Sequence, residues 1–552
     1  MNKLVIIPSA KKVSKELEID IGDIPSGMIP IGGKPALAYI SDFYLSHGFE
    51  ISVAVDFNKE DIIDYVSKSN LLIKTISVKN SSSLADTILK SLKKNILKTN
   101  LLVINFADTF SSFKIPKIDT IYYSNIEEQY RWTTFRLSKT KEIIEIKEKN
   151  VFNFNNKRTK IFTGIFVIKN TIKFKYLLEK QINIKNDHLD PFYLAIKEYF
   201  NSILSEDKQF IELEKWYDFG HIDTYYSSRR KLLKRERAFN SIKIEEHRGI
   251  LTKKSKNKSK LIDEINWYRN LPDTLSYLSP KIYKYDINPE NPFIKMEYYG
   301  YPVLSDIYLF GSWNPGLWSC FFKDLKVILS EMNNFRKSDN FGKIKKSLEE
   351  IYINKTILRL KEIEETDLFR KFKKNNIKIN NLCCLSITDI ISNIPKTFKQ
   401  LKILQTKSFS IIHGDLCLSN ILYDNKNRIV RLIDPRGSFG EYKIYGDKNY
   451  DIAKLQHSIL GDYDFILNNL FDIEWKSDQE LFFSPHIKNR HVLVKEIFKQ
   501  TFNFSKTDKI KIDFIHSLLF LSLVALHSDK PRSQEAFLAN GVFLYSKVFN
   551  SL

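Results

Sequence analysis

One stretch constrains this chain more than any other: His413-Gly414-Asp415-Leu416-Cys417-Leu418-Ser419-Asn420, followed by a second acid at Ile433-Asp434-Pro435. Asp415 and Asn420 lie on a short polar segment between two apolar runs, Ile411-Ile412 and Ile421-Leu422-Tyr423, a pattern that predicts strand, tight loop and strand. The apolar segment 429–433 predicts a further strand that carries Asp434 back beside the loop. One carboxylate to orient a hydroxyl, with an amide oxygen and a second carboxylate to hold magnesium against phosphates, are the parts that phosphoryl transfer from a nucleotide requires. A polar turn rich in Asp, Ser and Asn is the plain alternative. The ordered second acid argues against it.

The stretch resembles the aminoglycoside phosphotransferase and choline kinase superfamily, and Pro435-Arg436-Gly437 fits a small-molecule kinase better than a protein kinase. That resemblance covers roughly residues 240–552 and implies a bilobal, protein-kinase-like α+β fold. It assigns Asp415 to the acceptor hydroxyl, Asn420 and Asp434 to magnesium on ATP, and His413 to bracing the loop. It also implies a strand lysine held by a helix glutamate. Gly249-Ile250-Leu251-Thr252-Lys253-Lys254-Ser255 offers the strand, and 258–271 predicts a helix carrying Glu264 that stops at Pro272. Lys253 with Glu264 is the expected pair; because adjacent strand residues face opposite ways, Lys254 is the alternative. Phe293-Ile294-Lys295-Met296-Glu297-Tyr298 resembles the strand-to-hinge segment, where Glu297 and Tyr298 would meet the nucleotide base through their backbone. Tyr445-Gly446-Asp447-Lys448-Asn449-Tyr450-Asp451-Ile452-Ala453-Lys454 resembles the family's Asp-containing helix start, where either Asp447 or Asp451 would cap the helix, Asp451 being preferred.

The first 235 residues follow a different pattern. An apolar strand at 3–8, a Gly/Pro-rich stretch at 24–35, a helix at 36–47 and a strand at 51–55 make a βαβ rhythm. Leu102-Val103-Ile104-Asn105-Phe106-Ala107-Asp108 is a buried strand ending in an acid, Phe162-Thr163-Gly164-Ile165 is a second landmark, and Trp216-Tyr217-Asp218-Phe219-Gly220-His221 a third. Together they resemble sugar-nucleotide pyrophosphorylases and cytidylyltransferases, which implies a Rossmann-like α/β fold with a mixed sheet flanked by helices. The resemblance assigns Asp108 and Asp218 to a magnesium ion beneath CTP or another NTP. Such enzymes open with a glycine-rich phosphate loop. Here Ser9-Ala10-Lys11-Lys12-Val13-Ser14-Lys15 has no glycine. Ser9, Ala10 and Lys11, with Lys12 or Lys15 and with Lys34 from the next turn, are the candidate phosphate contacts. The domain either transfers nucleotidyl groups with a variant site or only binds.

With 552 residues the chain exceeds a single hydrophobic core. The expected domains are 1–235, a smaller lobe at 236–302 and a larger lobe at 303–552, with a mostly helical acceptor-side region at 314–402. Trp313, Trp318, Tyr298 and Tyr299 are candidate acceptor contacts, although aromatics at such spacing are commonly core. Formal net charge is +21, and thirteen Lys or Arg against three acids crowd residues 229–260. A solvated helix at 227–240 and a nucleotide-facing strand account for that concentration, so no nucleic-acid partner is expected. No apolar run reaches membrane-spanning length; 514–526 reads as a buried helix. Four cysteines without ligand spacing and no signal peptide predict a cytoplasmic protein without a disulfide framework, and Cys417 reads as an inward-packing spacer.

The two resemblances imply a bifunctional enzyme. It would phosphorylate an alcohol or sugar with ATP and couple that phosphate to an NTP, CTP first, as a precursor for capsule or another surface glycan. A kinase with a binding-only N-terminal domain, and a non-catalytic assembly module, are the alternatives. Acceptor identity, the preferred base and the oligomeric state are not encoded in any local pattern.

Overall fold

The computed structural model describes residues 3–69, 71–95, 100–125, 129–148, 159–184, 188–232, 240–245, 247–374 and 377–552. The chain divides into two compact units, Met1–Leu233 with Phe310–Ser312, and Lys234–Leu309 with Trp313–Leu552. The expected boundary at 235, and the second half of the helix expected at 227–240, lie outside the described residues.

The N-terminal unit is mixed α/β. Its sheet has a parallel centre, in which Lys3–Ser9 lies between Leu101–Asn105 and Glu50–Val55, and Ile73–Ser77 follows on the outside. Thr159–Ile168 joins antiparallel to Leu101–Asn105 and extends the sheet. The centre strands read as unbroken apolar runs because both of their faces are covered. Leu4, Ile6, Leu102 and Ile104 share a core with Ile88, Phe174, Phe192 and Phe200 from three helices. Val5 and Ile7 are equally buried and point to the other face. This arrangement brings the carboxyl ends of the parallel strands to one edge, where Ser9 and Asn105 lead into loops.

Gly164 interrupts Thr159–Ile168 at φ +82°, between Phe162 and Phe166, where the pairing with Asp119–Ser124 shifts register. A Cβ there would lie 2.7 Å from the Phe106 ring. Glycine is thus required both by the left-handed backbone and by the close approach.

The C-terminal unit begins with a four-stranded antiparallel sheet in the order Asn240–Glu245, Ile250–Ser255, Phe293–Glu297, Ile282–Asp286. Helix Lys258–Asn270 follows the second strand, with Asn257 capping its N-terminus through the Lys260 N–H and Leu271 ending it before Pro272. The remainder is mainly helical. Between 314 and 402 lie Pro315–Asn334, Phe341–Leu348, Lys355–Lys361, Asp367–Lys373 and Ile387–Gln400, with the short strands Ile377–Ile379 and Leu382–Cys384. Trp313 and Trp318 are buried, their rings 5.3 Å apart, and Trp313 packs on Tyr423. These tryptophans are core.

The expectation that no segment is long enough to span a membrane needs correcting: Lys506–His527 qualifies by length and composition. Residues 514–522 of it are nonetheless all buried within the unit, against Pro531–Asn550 and Lys448–Ile459 among others. The apolar surface that makes this helix look membrane-like is used in packing.

Replacing Gly164 by Ala adds backbone strain and a clash with Phe106, and should cost the N-terminal unit about 1–3 kcal/mol. Urea denaturation checks this, and an unchanged midpoint would reject the strain argument.

Candidate functional site

The C-terminal unit holds a loop stitched to its neighbours through backbone bonds. Strand Ser408–Ile411 enters, the segment from His413 to Asn420 turns, and Ile421–Asp424 leaves and pairs with Ile429–Leu432. The His413 Nε2 lies 3.0 Å from the Ile433 carbonyl, the Ile433 N–H donates to the Asn420 carbonyl at 3.0 Å, and the Arg436 N–H donates to the His413 carbonyl at 2.9 Å. Asp415, Asn420 and Asp434 are therefore carried on two adjoining pieces of one construction. Burial holds His413 neutral, with its pKa pushed down to about 4, so it braces the loop as an uncharged ring.

The helix that follows divides two roles differently from expectation. Asp447, and not the preferred Asp451, is the N-cap of Lys448–Ile459, accepting from the Asn449 N–H at 3.0 Å. Asp451 sits one turn inside the helix, and its two carboxylate oxygens accept the N–H groups of His413 and Gly414, each at 2.7 Å. Burial raises its pKa to about 7 while the two N–H donors pull the other way. From the sequence both acids fit a cap; the choice depended on the arrival of a loop from more than thirty residues upstream.

Asp415 has a side chain about one-third exposed, and its Oδ1 lies 2.9 Å from the Lys454 ammonium. Burial pushes this carboxyl up, but the attraction of Lys454 prevails and holds it at about 2, ionised at any ordinary pH. Lys454 was not among the residues expected at the site. It stands one helical turn beyond Tyr450 and three residues after Asp451, so its periodicity within the helix was the available signal. Asn420 donates through Nδ2 to the Asp415 carbonyl at 2.8 Å and to its carboxylate at 3.3 Å. Cys417 is buried, and burial pushes its thiol up to about 12, as a packing residue requires.

Of the two adjacent lysines, Lys253 points inward and is 4% exposed, while Lys254 faces solvent. The Lys253 ammonium donates to Glu264 Oε1 and Oε2 at 2.9 and 2.7 Å, and to Asp434 Oδ1 at 2.8 Å. Burial lifts Glu264 to about 7 against the pull of Lys253. Burial also works against the lysine, but its two carboxylate partners win and keep it charged. Asp434 takes a left-handed backbone, φ +55°, strained for a residue with a Cβ and held by the Tyr268 hydroxyl on its N–H at 3.2 Å. Glu297 ends strand Phe293–Glu297, which pairs with the strand carrying Lys253, its carboxylate accepting from Tyr299, and the Tyr298 N–H donates to the Gly249 carbonyl at 2.8 Å.

Asp434 and Asn420 offer hard oxygen donors of the kind magnesium takes, and Asn420 Oδ1 accepts no hydrogen bond from a described residue. Among the described residues no group of three or more His, Cys, Asp or Glu is gathered as a metal cage. A magnesium ion that keeps its waters and phosphate oxygens does not need one.

The N-terminal unit holds a separate cleft of about 680 Å³ at the carboxyl edge of its sheet, walled by Ala10, Lys11, Lys15, Asp108, Arg131 and His221 among others. Asp108 reaches it from the end of Leu101–Asn105. Gly220 lets that carboxylate pass, since a Cβ there would be 2.6 Å from Asp108 Oδ2. Asp218 pairs with Thr109 across a two-residue ladder, but its carboxylate turns to His221 Nδ1 at 2.9 Å and to the Thr224 hydroxyl. It thus lies behind His221 and is not on the cleft wall.

The basic candidates separate equally clearly. Lys11 and Lys15 line the cleft and form no ion pair with a described residue, whereas Lys12 is held by Glu18 at 3.0 Å and Asp23 at 3.3 Å. Ser9 accepts the Gly27 N–H at 2.9 Å and is fully buried, so its hydroxyl is used internally. Lys34 pairs with Asp42 at 3.2 Å on the outer surface and is not part of the cleft wall. The expectations for Ser9 and Lys34 as phosphate contacts are corrected on that ground. Arg131, missed from the sequence, comes from a short turn and is paired with Asp223 at 2.6 Å.

No family model matches the chain. Over 129 residues it is 30% identical to the bifunctional protein GlmU of Methanococcus maripaludis strain S2, a stretch covering 23% of this chain and 30% of that protein. A second GlmU, from M. maripaludis strain C5, is 27% identical over 157 residues, covering 27% and 36%. The chain spans about one-third of the length of these curated relatives. Similar solved structures include HddC from Yersinia pseudotuberculosis, at 17% identity, 42% of this chain, all of that chain and a TM-score of 0.31. Another is the CTP:phosphocholine cytidylyltransferase LicC from Streptococcus pneumoniae, at 15% identity, 42% of this chain, all of that chain and a TM-score of 0.34. Over the matched stretch the chain thus resembles the bifunctional protein GlmU.

Removing the inward lysine leaves a buried glutamate without its cation. Lys253→Met should therefore cost the C-terminal unit about 3–5 kcal/mol, and Lys254→Met no more than about 0.5 kcal/mol. Equal losses in chemical denaturation would contradict the burial difference.

Proposed function

We propose that this chain is a bifunctional cytoplasmic enzyme, a small-molecule phosphotransferase in its C-terminal unit and a nucleotidyltransferase in its N-terminal unit. The first would phosphorylate an alcohol or sugar with ATP. The second would couple the product to an NTP, CTP being the first to test, with release of pyrophosphate, as a precursor for capsule or another surface glycan.

The observation that carries the phosphotransferase reading is the joint arrangement of an ionised Asp415 and the Lys253–Glu264–Asp434 cluster. Asp415, held ionised by Lys454, would orient the acceptor hydroxyl and take its proton. Lys253 would hold nucleotide phosphates, and Asn420 with Asp434 would hold magnesium, which when bound supplies charge neutralisation at the phosphates. The lobes at 236–302 and 303–552, with Glu297 and Tyr298 at the hinge, belong to the same reading, as does the superfamily of aminoglycoside phosphotransferases and choline kinases.

For the N-terminal unit, support comes from the cleft at the strand ends, with Asp108 and two lysines that form no ion pair with a described residue on its wall, and from the likeness to GlmU. Ala10, Lys11 and Lys15 would receive the phosphates. The position of Asp218 favours a second reading for this unit, in which it binds a nucleotide without transferring it, because that carboxylate is already engaged by His221 and Thr224.

Asp415→Ala should abolish ATP-dependent phosphorylation in a screen of alcohols and sugars while leaving the thermal transition in place; unchanged turnover removes the phosphotransferase assignment. Lys454→Met removes the cation that outweighs burial at Asp415, so the carboxyl pKa must rise. The acid limb of the pH–rate profile should then move to higher pH, and an unmoved limb would exclude Asp415 as the base. Asp108→Asn should end NTP-dependent pyrophosphate release. No release by the wild-type protein with any NTP selects the binding-only reading.

A further inference from the structure

Lys355 opens helix Lys355–Lys361 directly after a π-helical turn, Glu349–Asn354. Tyr352, in that turn, donates its hydroxyl to Asp447 at 3.0 Å and packs its ring on Tyr450, centroids 6.0 Å apart. Lys355 and Arg359 follow Tyr352 at successive helical turns. On the facing helix, Lys454 follows Tyr450 by one turn. The contact between Tyr352 and Tyr450 brings the π-helical turn against Lys448–Ile459, and Lys355 just after it feels the charges of Arg436, Arg359, Lys454 and Asp415. Arg436 joins them from the other direction. Its backbone is bonded to the His413 carbonyl, its Nη1 donates to the Tyr450 hydroxyl at 2.8 Å, and its guanidinium lies 5.8 Å from the Tyr450 ring centre.

Four cations therefore converge beside Asp415, and their partners do not balance them. Lys454 has Asp415 itself. Arg359 donates to a neutral carbonyl, that of Ser522, at 2.9 Å, and Arg436 to a neutral hydroxyl. Lys355 has no hydrogen bond or ion pair with a described residue. Asp263 near Arg436, Glu362 near Arg359 and Asp451 near Lys454 are further carboxylates felt here, and none of them forms an ion pair with these cations among the described residues. Burial, followed by repulsion from Arg436, Arg359 and Lys454, pushes the Lys355 ammonium well below the ordinary lysine range. Half-buried like charges of this kind are costly unless an anion relieves them.

We propose that the cluster of Lys355, Arg359 and Arg436 beside Asp415 binds an oxyanion carried by the phosphate acceptor, a carboxylate or a phosphate, so that the substrate is an acidic alcohol or sugar. This rests on the phosphotransferase reading of the C-terminal unit and narrows it. A cationic amino alcohol would be repelled by the same groups, which selects against it as strongly as the anion is selected for. The guanidinium groups supply paired donors for an oxyanion, and the lysine supplies charge.

The test uses the full chain with Mg-ADP, titrated calorimetrically with glycerate, glycerol 3-phosphate, glycerol and choline. At least one anionic probe should bind about 10-fold or more tightly than glycerol and choline, and the better of the two distinguishes carboxylate from phosphate. Lys355→Gln should weaken that probe about 10-fold, and Lys355→Arg should restore most of the loss. The proposal is overturned if glycerol or choline binds as well, if neither anionic probe binds, or if Lys355→Gln leaves the preference intact. It is also overturned if Lys355→Gln weakens Mg-ADP in place of the acceptor probe, since the cluster would then serve the nucleotide. Failure of Mg-ADP to bind the wild-type chain overturns the phosphotransferase reading together with this one; intact Mg-ADP binding with indifferent probes overturns only this one.

Discussion

A single ammonium group holds the C-terminal site together. Lys253 Nζ meets both oxygens of Glu264 and one of Asp434, so a strand, the helix after it and a segment 181 residues away share one buried charge. Neither Lys253 nor Glu264 could be buried alone, because an unpaired charge removed from water costs several kcal/mol, and the half-exposed Asp434 joins them from the rim. Their mutual dependence makes the arrangement specific. A one-residue slip of strand Ile250–Ser255 would turn Lys253 to solvent and bring either Lys254 or Thr252 round to Glu264.

The same logic organises the loop from His413 to Asn420. Its tight turn leaves two consecutive N–H groups pointing inward, and Asp451 satisfies both from a helix that Asp447 has already capped. Asp415 is then free to face Lys454, which offsets the cost of its partial burial. One helix thereby supplies the brace, the counter-ion and, through Tyr450, the packing surface on which Tyr352 and Arg436 settle. Positive charge beyond what Asp415 neutralises accumulates at that surface.

Much of this was legible from local pattern. The apolar centre strands of the N-terminal sheet, the acid at 108, the helix around Glu264 and the loop at 413–420 are read from composition and spacing, because periodicity and turn chemistry act over a few residues. Less legible was everything that depends on long-range approach. Ser9 and Lys34 look like phosphate contacts by position, yet Gly27 and Asp42 had claimed them. Asp218 has the right place in the chain, yet His221 and Thr224 draw its carboxylate behind the cleft wall. Lys355 and Arg131 had no motif to announce them, and Lys454 had only its helical spacing from Tyr450 and Asp451.

By itself, then, the sequence determined which residues carry reactive oxygen, nitrogen and charge, and which stretches become strands or helices, since those depend on side-chain chemistry and short-range sterics. Only the tertiary structure decided which of two lysines turns inward, which of two aspartates caps and which braces, and where unbalanced positive charge collects. Those outcomes follow from competition for hydrogen bonds and counter-ions among groups far apart along the chain, a contest that is settled only when the chain has folded.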